Sequence, residues 1–308
     1  MSGRRIFQAI VAGWILTGGP AMAEAPQSLE DAWWTGPMLA NSAHTLPRGH
    51  MLIESYLYDA ISGPANSVNS LTYLLFGVTD RLTLGLVPTA GYNSVRGGPD
   101  STGVQLGDTQ LRAQYGLTSL DAARGMPDLA IALIETVPTG RYDRLGTRPS
   151  DGFGNGAYTT ALAFYSQTVF WMPNGRLLRT RLDLSQSISR RAMVEDVSVY
   201  GTGSGFRGHA RPGNSFSADA AFEYSLTRKW VLALDVIYSH GNEAIAHGTQ
   251  NGRSVVLNSG TSDSLGFAPA IEFSWTPNIG VLGGVRIIPK GHNVPASVTP
   301  AIAINYVL

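Results

Sequence analysis

Ten charged side chains sit where charge is least expected. Asp235 lies inside the run Trp230-Val231-Leu232-Ala233-Leu234-Asp235-Val236-Ile237-Tyr238. A lone carboxylate in hydrocarbon is costly unless it is paired or wetted. Large apolar residues fall on every second position, Trp230, Leu232, Leu234, Val236 and Tyr238, while Asp235 falls between them. In a strand successive side chains alternate faces, so Asp235 points away from the whole apolar row. The same phase sends Asp108, Arg112, Arg179, Arg181, Asp183, Asp219, Glu223, Glu272 and Arg286 to the non-apolar face. Such a set has two uses. It is a lattice of ion pairs that stiffens a wall, or it selects a solute. The lattice is the default, because charged clusters mark functional sites only probabilistically.

The other motifs that could carry chemistry are weak. Gly203-Ser204-Gly205-Phe206-Arg207-Gly208 matches G-x-G-x-x-G by letter, but no strand-helix-strand unit surrounds it, so no dinucleotide cofactor is expected. His209, His240, His247 and His292 fall in expected outer loops, where solvated histidine is the default and no metal site is assigned. Ser239 and His240 are adjacent and therefore on opposite faces of a strand, which forbids the hydrogen bond an activated serine needs. No catalytic residue is expected, and the protein does not read as an enzyme.

The elements that position the charges read as strands over about 50–59, 69–77, 82–93, 104–118, 126–138, 154–171, 176–188, 213–226, 229–240, 262–275, 280–288 and 295–308. Within 126–138, Glu135 breaks either phase, and a bulge would account for it. The connections alternate. Those at 78–81, 119–125, 172–175, 227–229 and 276–280 are tight. Those at 61–69, 94–103, 139–152, 189–213 and 241–260 are long, and the last two read as flexible from their Gly, Ser and Asn. Outer-membrane barrels sort their connections this way, with short periplasmic turns and long outer loops. Trp171, Trp230, Trp275 and Tyr306 end strands near short turns, as interfacial girdles do. The fold class is therefore all-β: one antiparallel transmembrane barrel of the outer-membrane type, of twelve strands, over 50–308. The last strand, with Ile302, Ile304, Tyr306 and Leu308 in phase, resembles the terminal strand by which such barrels are recognised for assembly, although those usually end in Phe. Assembly machinery, outer-membrane lipid and a small-molecule solute are the expected partners, and oligomeric state is left open.

Residues 1–23 read as a secretory signal peptide, with Arg4 and Arg5, an apolar core from Ile6 to Leu16, and Ala21-Met22-Ala23 as the cleavage signal after Ala23. The formal net charge is zero, with charged residues only 14% of the chain, which excludes the basic stripe that nucleic acid requires. Removing the signal removes two arginines and no acid, so 0 − 2 leaves −2. There is no cysteine, hence no disulfide and no thiolate chemistry. Residues 24–49 are irregular and carry Pro26, Pro37 and Pro47. They form either a periplasmic tether or a plug in the lower mouth, for which Trp33, Trp34 and Pro37 are the candidate residues.

One stretch is more specific. Residues 33–59, including Gly36-Pro37-Met38-Leu39-Ala40 and His44-Thr45-Leu46-Pro47-Arg48-Gly49-His50, lead into the hairpin Gly77-Val78-Thr79-Asp80-Arg81-Leu82-Thr83-Leu84-Gly85-Leu86-Val87-Pro88. With Val137-Pro138-Thr139-Gly140-Arg141-Tyr142-Asp143 further on, this resembles a family of outer-membrane transporters assigned to the MetA pathway of phenol degradation. The resemblance implies a barrel and passive uptake of small, aromatic or otherwise hydrophobic, solutes through a narrow charged lumen. It supplies no functional residues. The competing expectation is a barrel that transports nothing and acts through its surface loops.

Overall fold

The computed structural model describes residues 26–308. The signal-peptide expectation lies outside them. Eighteen strands run in chain order: β1 (Met51–Ser62), β2 (Ala65–Thr79), β3 (Leu82–Val87), β4 (Thr89–Val95), β5 (Gln105–Leu106), β6 (Thr109–Thr118), β7 (Asp128–Val137), β8 (Thr159–Trp171), β9 (Leu177–Ser189), β10 (Ala192–Glu195), β11 (Phe206–Arg211), β12 (Ser215–Ser225), β13 (Trp230–Gly241), β14 (Ile245–Gln250), β15 (Arg253–Asn258), β16 (Ser262–Thr276), β17 (Ile279–Ile288) and β18 (Ser297–Val307). The helical content among the described residues is two 3-10 turns, Leu29–Asp31 and Pro149–Asp151.

Fourteen of these segments form one antiparallel sheet that closes on itself, because β1 pairs with both β18 and β2. Pro88, which has no N–H to give, splits one barrel strand into β3 and β4, and the Gly107-Asp108 break splits its neighbour into β5 and β6. The result is a barrel of twelve strands. Closure satisfies every ladder group in lipid, where an open edge could not persist. Among the described residues no helix is long and apolar enough to cross a membrane, so the crossing is made by strands.

The apolar rows face outward. Leu232, Leu234, Leu265, Ile271, Ile302 and Ile304 are all exposed on the outer wall. Trp171, Trp230, Trp275 and Tyr306 sit exposed beside the short turns, and Phe273 stacks between two of them, 4.6 Å from Trp230 and 5.3 Å from Trp275. The opposite phase is buried. Asp235, Glu223 and Glu272 have no exposure, and the small residues Ala221 and Ala268 flank Asp235 on the two neighbouring strands while Ala233 flanks Glu223.

Three expectations about the strands and loops need correction. The long connection at 61–69 is a two-residue hairpin at Gly63-Pro64, since β1 and β2 extend past the apolar band. β7 itself carries no extra residue: its register with β8 is unbroken from Asp128↔Gln167 to Thr136↔Thr159, and the register shift in its pairing with β6 puts the extra residue in β6, between Gly116 and Thr118. Glu135 keeps phase and accepts a hydrogen bond from Thr160 Oγ1 across the strand pair. The loops at 189–213 and 241–260 are not flexible coils. They fold into a second sheet, β10-β11-β14-β15, standing above the rim. Its inner face is a small core of Val194, Phe206, Ala210 and Ala246, against Tyr142 and Tyr200 of neighbouring loops. His209, His240 and His247 accordingly lie on strands β11, β13 and β14.

A candidate solute passage

Residues 26–49 form neither helix nor strand of useful length, so their N–H and C=O groups need partners elsewhere. They find them inside the barrel. Gln27 N–H donates to the carbonyl of Gly175, and Trp33 N–H to that of Arg228, which fixes the entry across two short turns. Asp31 forms an ion pair with Arg228. The chain then rises into the lumen. Thr35 N–H and Oγ1–H donate to Glu272 at 2.8 Å each, and Gly36 N–H donates to the same oxygen at 3.1 Å. Met38, Leu39 and Ala40 donate three successive N–H groups to Asp235, at 3.0, 3.3 and 3.0 Å. Asn41 donates through its backbone and side chain to Asp183, at 2.7 and 3.0 Å. The chain then descends. Thr45 Oγ1–H donates to the carbonyl of Asp80 at 2.7 Å, and Leu46 N–H donates to Thr83 Oγ1 at 2.9 Å. The segment is an arch with both feet at the short-turn end.

Two glycines let the arch fit. Gly36 has φ of +116° and its missing Cβ faces the Arg181 guanidinium, so a side chain there is strained. At Gly77 a Cβ would strike the carbonyls of Leu46 and Pro47, both backbone. Gly77→Val is therefore expected to detach the descending foot and lower stability by about 1–3 kcal/mol. The midpoint of unfolding in urea against lipid vesicles checks it, and an unchanged midpoint refutes it.

The ten charges picked out by phase are distributed as follows. Arg179 and Arg181 both donate to Glu223, Arg181 at 3.1 Å. Arg179 also lies over the Trp34 ring, 4.5 Å from its centroid. Arg181 reaches the Ala40 carbonyl at 3.0 Å, and Arg112 reaches Asn41 Oδ1 at 2.7 Å and the Tyr165 hydroxyl at 2.9 Å. Around the arch, then, Arg112, Arg179 and Arg181 face Asp183, Glu223, Asp235 and Glu272. The carboxylates outnumber the guanidiniums, and the arch's own N–H groups serve the surplus. Charge-assisted hydrogen bonds of this kind are roughly twice as strong as neutral ones. Asp219 and Arg286 stand higher, and Asp219 Oδ1 and Arg286 Nε have no hydrogen-bond partner among the described residues. Asp108 is set apart. At the outer end of β6 it accepts N–H groups from Gly140 and Asn155 and so ties down the loop between β7 and β8. Of the candidate plug residues, Trp33 lies near the Arg228 and Lys229 side chains and Pro37 lines the lower cavity.

His44 on the descending limb adds a titratable contact. Its Nδ1 lies 3.7 Å from Asp128 Oδ2, and that neighbouring carboxylate raises the imidazole above its ordinary value. A raised imidazole stabilises the folded state fully below the unfolded value of about 6.5, and the gain is lost as pH climbs through the folded value. The side chain is more than half exposed, so the effect is small. The wild type is expected to lose a little stability between about pH 6 and about pH 8. His44→Gln should flatten that slope, and parallel slopes in both proteins count against the contact.

The arch does not fill the lumen. A cavity of 250 Å³ lies toward the short turns, lined by Leu52, Glu54, Leu75 and Arg112 among others. A second of 240 Å³ lies toward the outer loops, lined by Tyr58, Leu71, Arg286 and Thr299. Both are bounded by Met38, Leu39, Tyr56 and Tyr73. Arg112 sits 5.4 Å from the Tyr73 ring centroid. The two cavities therefore lie on either side of one neck, formed by the top of the arch and the β1–β2 wall. Sequence reasoning missed Glu54, Tyr56, Tyr58 and Tyr73. Their inward phase was available: Glu54 was overlooked although it carries the charge that was sought, and the tyrosines were passed over because tyrosine on a barrel strand reads equally as girdle.

Closed strands, an outward apolar band and a buried polar interior define a transmembrane β-barrel of the outer-membrane class. The chain belongs to the family described as "Putative MetA-pathway of phenol degradation", which it matches over residues 36–288. Its fold is similar to that of an outer membrane channel from Pseudomonas putida F1, with a TM-score of 0.64 at 16% identity, covering 88% of this chain and 100% of that one. Weaker likenesses include the NanC porin, TM-score 0.47 at 9% identity over 82% and 98% of the two chains. The Pseudomonas putida toluene transporter TodX gives 0.41 at 9% identity over 85% and 89%. No curated protein matches the sequence.

Proposed function

We propose that the protein is a passive outer-membrane channel for small solutes, and that the path runs between the arch and the wall of β1, β2, β17 and β18. The observation that carries this reading is that two cavities, one on each side of the arch's apex, share Met38, Leu39, Tyr56 and Tyr73 as their common wall. A barrel of twelve strands falls between small barrels filled by side chains and sixteen-stranded aqueous pores, so a narrow, partly occluded passage is its natural form. The neck is apolar and aromatic, while Arg112, Glu54 and Arg286 lie on either side of it. That combination favours solutes with a flat apolar body and a polar end. The solved Pseudomonas putida neighbour is a channel by name, and the present reading extends that role to this chain. Substrate passage requires no chemistry, and we assign no catalytic residue. Biogenesis through barrel assembly machinery accords with the outward row Ile302, Ile304 and Tyr306 on β18, continued by Leu308 just beyond it.

The test is single-channel conductance of the refolded protein in a planar bilayer. Leu39→Ala and Tyr56→Ala should each raise the unit conductance and weaken block by a small aromatic solute. A folded barrel with no steps, in wild type and both variants, would overturn the reading. The ordered outer sheet favours one second reading, a barrel that acts by its surface, and total absence of conductance would leave that reading standing.

A further inference from the structure

The outer sheet carries an unpaired basic face. Its inner side is the small core already described, and its outer side is exposed. Met193, His209, His247 and Val256 form one cross-strand row on that side. Arg211 lies one row nearer the barrel, with Arg190 and Arg191 at the exit of β9. Arg190, Arg191 and Arg211 make no side-chain hydrogen bond or ion pair among the described residues, in contrast to Arg112, Arg179 and Arg181 inside the barrel. The acids nearby have partners of their own, although Glu243 lines one of the cavities on this face and meets only a neutral amide. Glu195 binds Arg144, Glu243 accepts from Asn258, and Asp263 accepts from Tyr238 and His240. Two cavities open on this face. One of 370 Å³ is lined by Arg191, Arg211, His209 and His247, and one of 410 Å³ by Arg211, Asn214 and Asn242 among others.

The position of this face selects its partner. β10, β11, β14 and β15 arise from barrel strands β9, β12, β13 and β16, whose outward residues Ile188, Tyr238 and Leu265 are exposed at the upper end of the lipid-facing wall. The arginines therefore begin where the apolar band ends, at the height of lipid head groups. Guanidinium pairs with phosphate bidentately and is weakly hydrated, so it suits a partner of that chemistry.

We infer that the outer face of this sheet, centred on Arg191 and Arg211, binds the phosphorylated head group of an outer-leaflet glycolipid. The site is independent of the passage through the barrel.

The experiment is native mass spectrometry of the refolded mature protein released from mixed micelles containing bisphosphorylated lipid A, its dephosphorylated form, or inorganic phosphate alone. The wild type should retain the bisphosphorylated lipid at least tenfold better than the dephosphorylated one, with retention falling as salt rises. The double variant Arg191→Gln/Arg211→Gln should lose that preference, while Arg124→Gln on a periplasmic turn keeps it. Heat-modifiable gel migration shows whether each variant is folded, and both substituted arginines are exposed. Equal retention of both lipids overturns the inference, as does a folded double variant that keeps the preference. Saturation by millimolar inorganic phosphate alone also overturns it, by assigning the face to a free anion.

Discussion

Deleting residues 26–47 should turn a narrow slot into an open pore, with unit conductance rising several-fold and selectivity shifting toward cations. The arch occupies the centre of a barrel that is otherwise wide enough for water. Its removal also strips hydrogen bonds from three carboxylates: three from Glu272, three from Asp235 and two from Asp183. Those groups then face water, and with Glu223 the four carboxylates outnumber the three guanidiniums of Arg112, Arg179 and Arg181, which attracts cations. Asp235→Ala should give an intermediate result, because three consecutive N–H groups lose their acceptor together while Glu272 and Asp183 still hold. An unfilled buried donor costs about 1–3 kcal/mol, so the apex is expected to lift intermittently and produce flickering between two conductance levels. Wild-type conductance from a folded deletion variant would show that the arch does not obstruct the path.

The second large effect is on stability. Glu223 is fully buried and receives both Arg179 and Arg181. Glu223→Gln leaves two guanidiniums facing each other with no charge between them, and breaking a buried pair in this way typically costs 3–5 kcal/mol, or about that here. The denaturation midpoint in urea, followed by tryptophan fluorescence in vesicles, should fall accordingly. Replacing Arg179, Arg181 and Glu223 together by Met or Leu should recover much of the loss, since desolvation offsets most of what a buried ion pair contributes. A midpoint unmoved by Glu223→Gln would mean that the lattice is wet enough to be screened.

The twelve barrel strands were legible because lipid imposes one rule on every one of them. Leu232, Leu265 and Ile302 must face out, and the alternation this forces is visible without any partner. The rule lapses above the bilayer. At β11, Arg207, His209 and Arg211 alternate with Gly208 and Ala210, so neither face is strongly apolar and the strand reads as loop. The ends of β1 and β2, with Ser62, Asn66 and Ser67, were hidden for the same reason. Inside the barrel, phase located the charges but not their partners. Asp235 was legible as an inward carboxylate. That it is met by the N–H groups of Met38, Leu39 and Ala40 was not, because those bonds use the backbone and leave no mark on residue type. Tyr56 and Tyr73 were lost because aromatic residues serve both walls of a barrel.

The route of the arch also sets how it responds to force. Both feet stand at the short-turn mouth, and its bonds to the wall lie in series: Arg228, then Glu272, then Asp235, then Asp183. A pull on Pro26 away from that mouth would load them one at a time from one end, as in peeling, and never all at once as in shear. The barrel strands, each held along its full length by two neighbours, would feel almost none of that tension. The segment that narrows the lumen is thus mechanically separable from the wall that contains it.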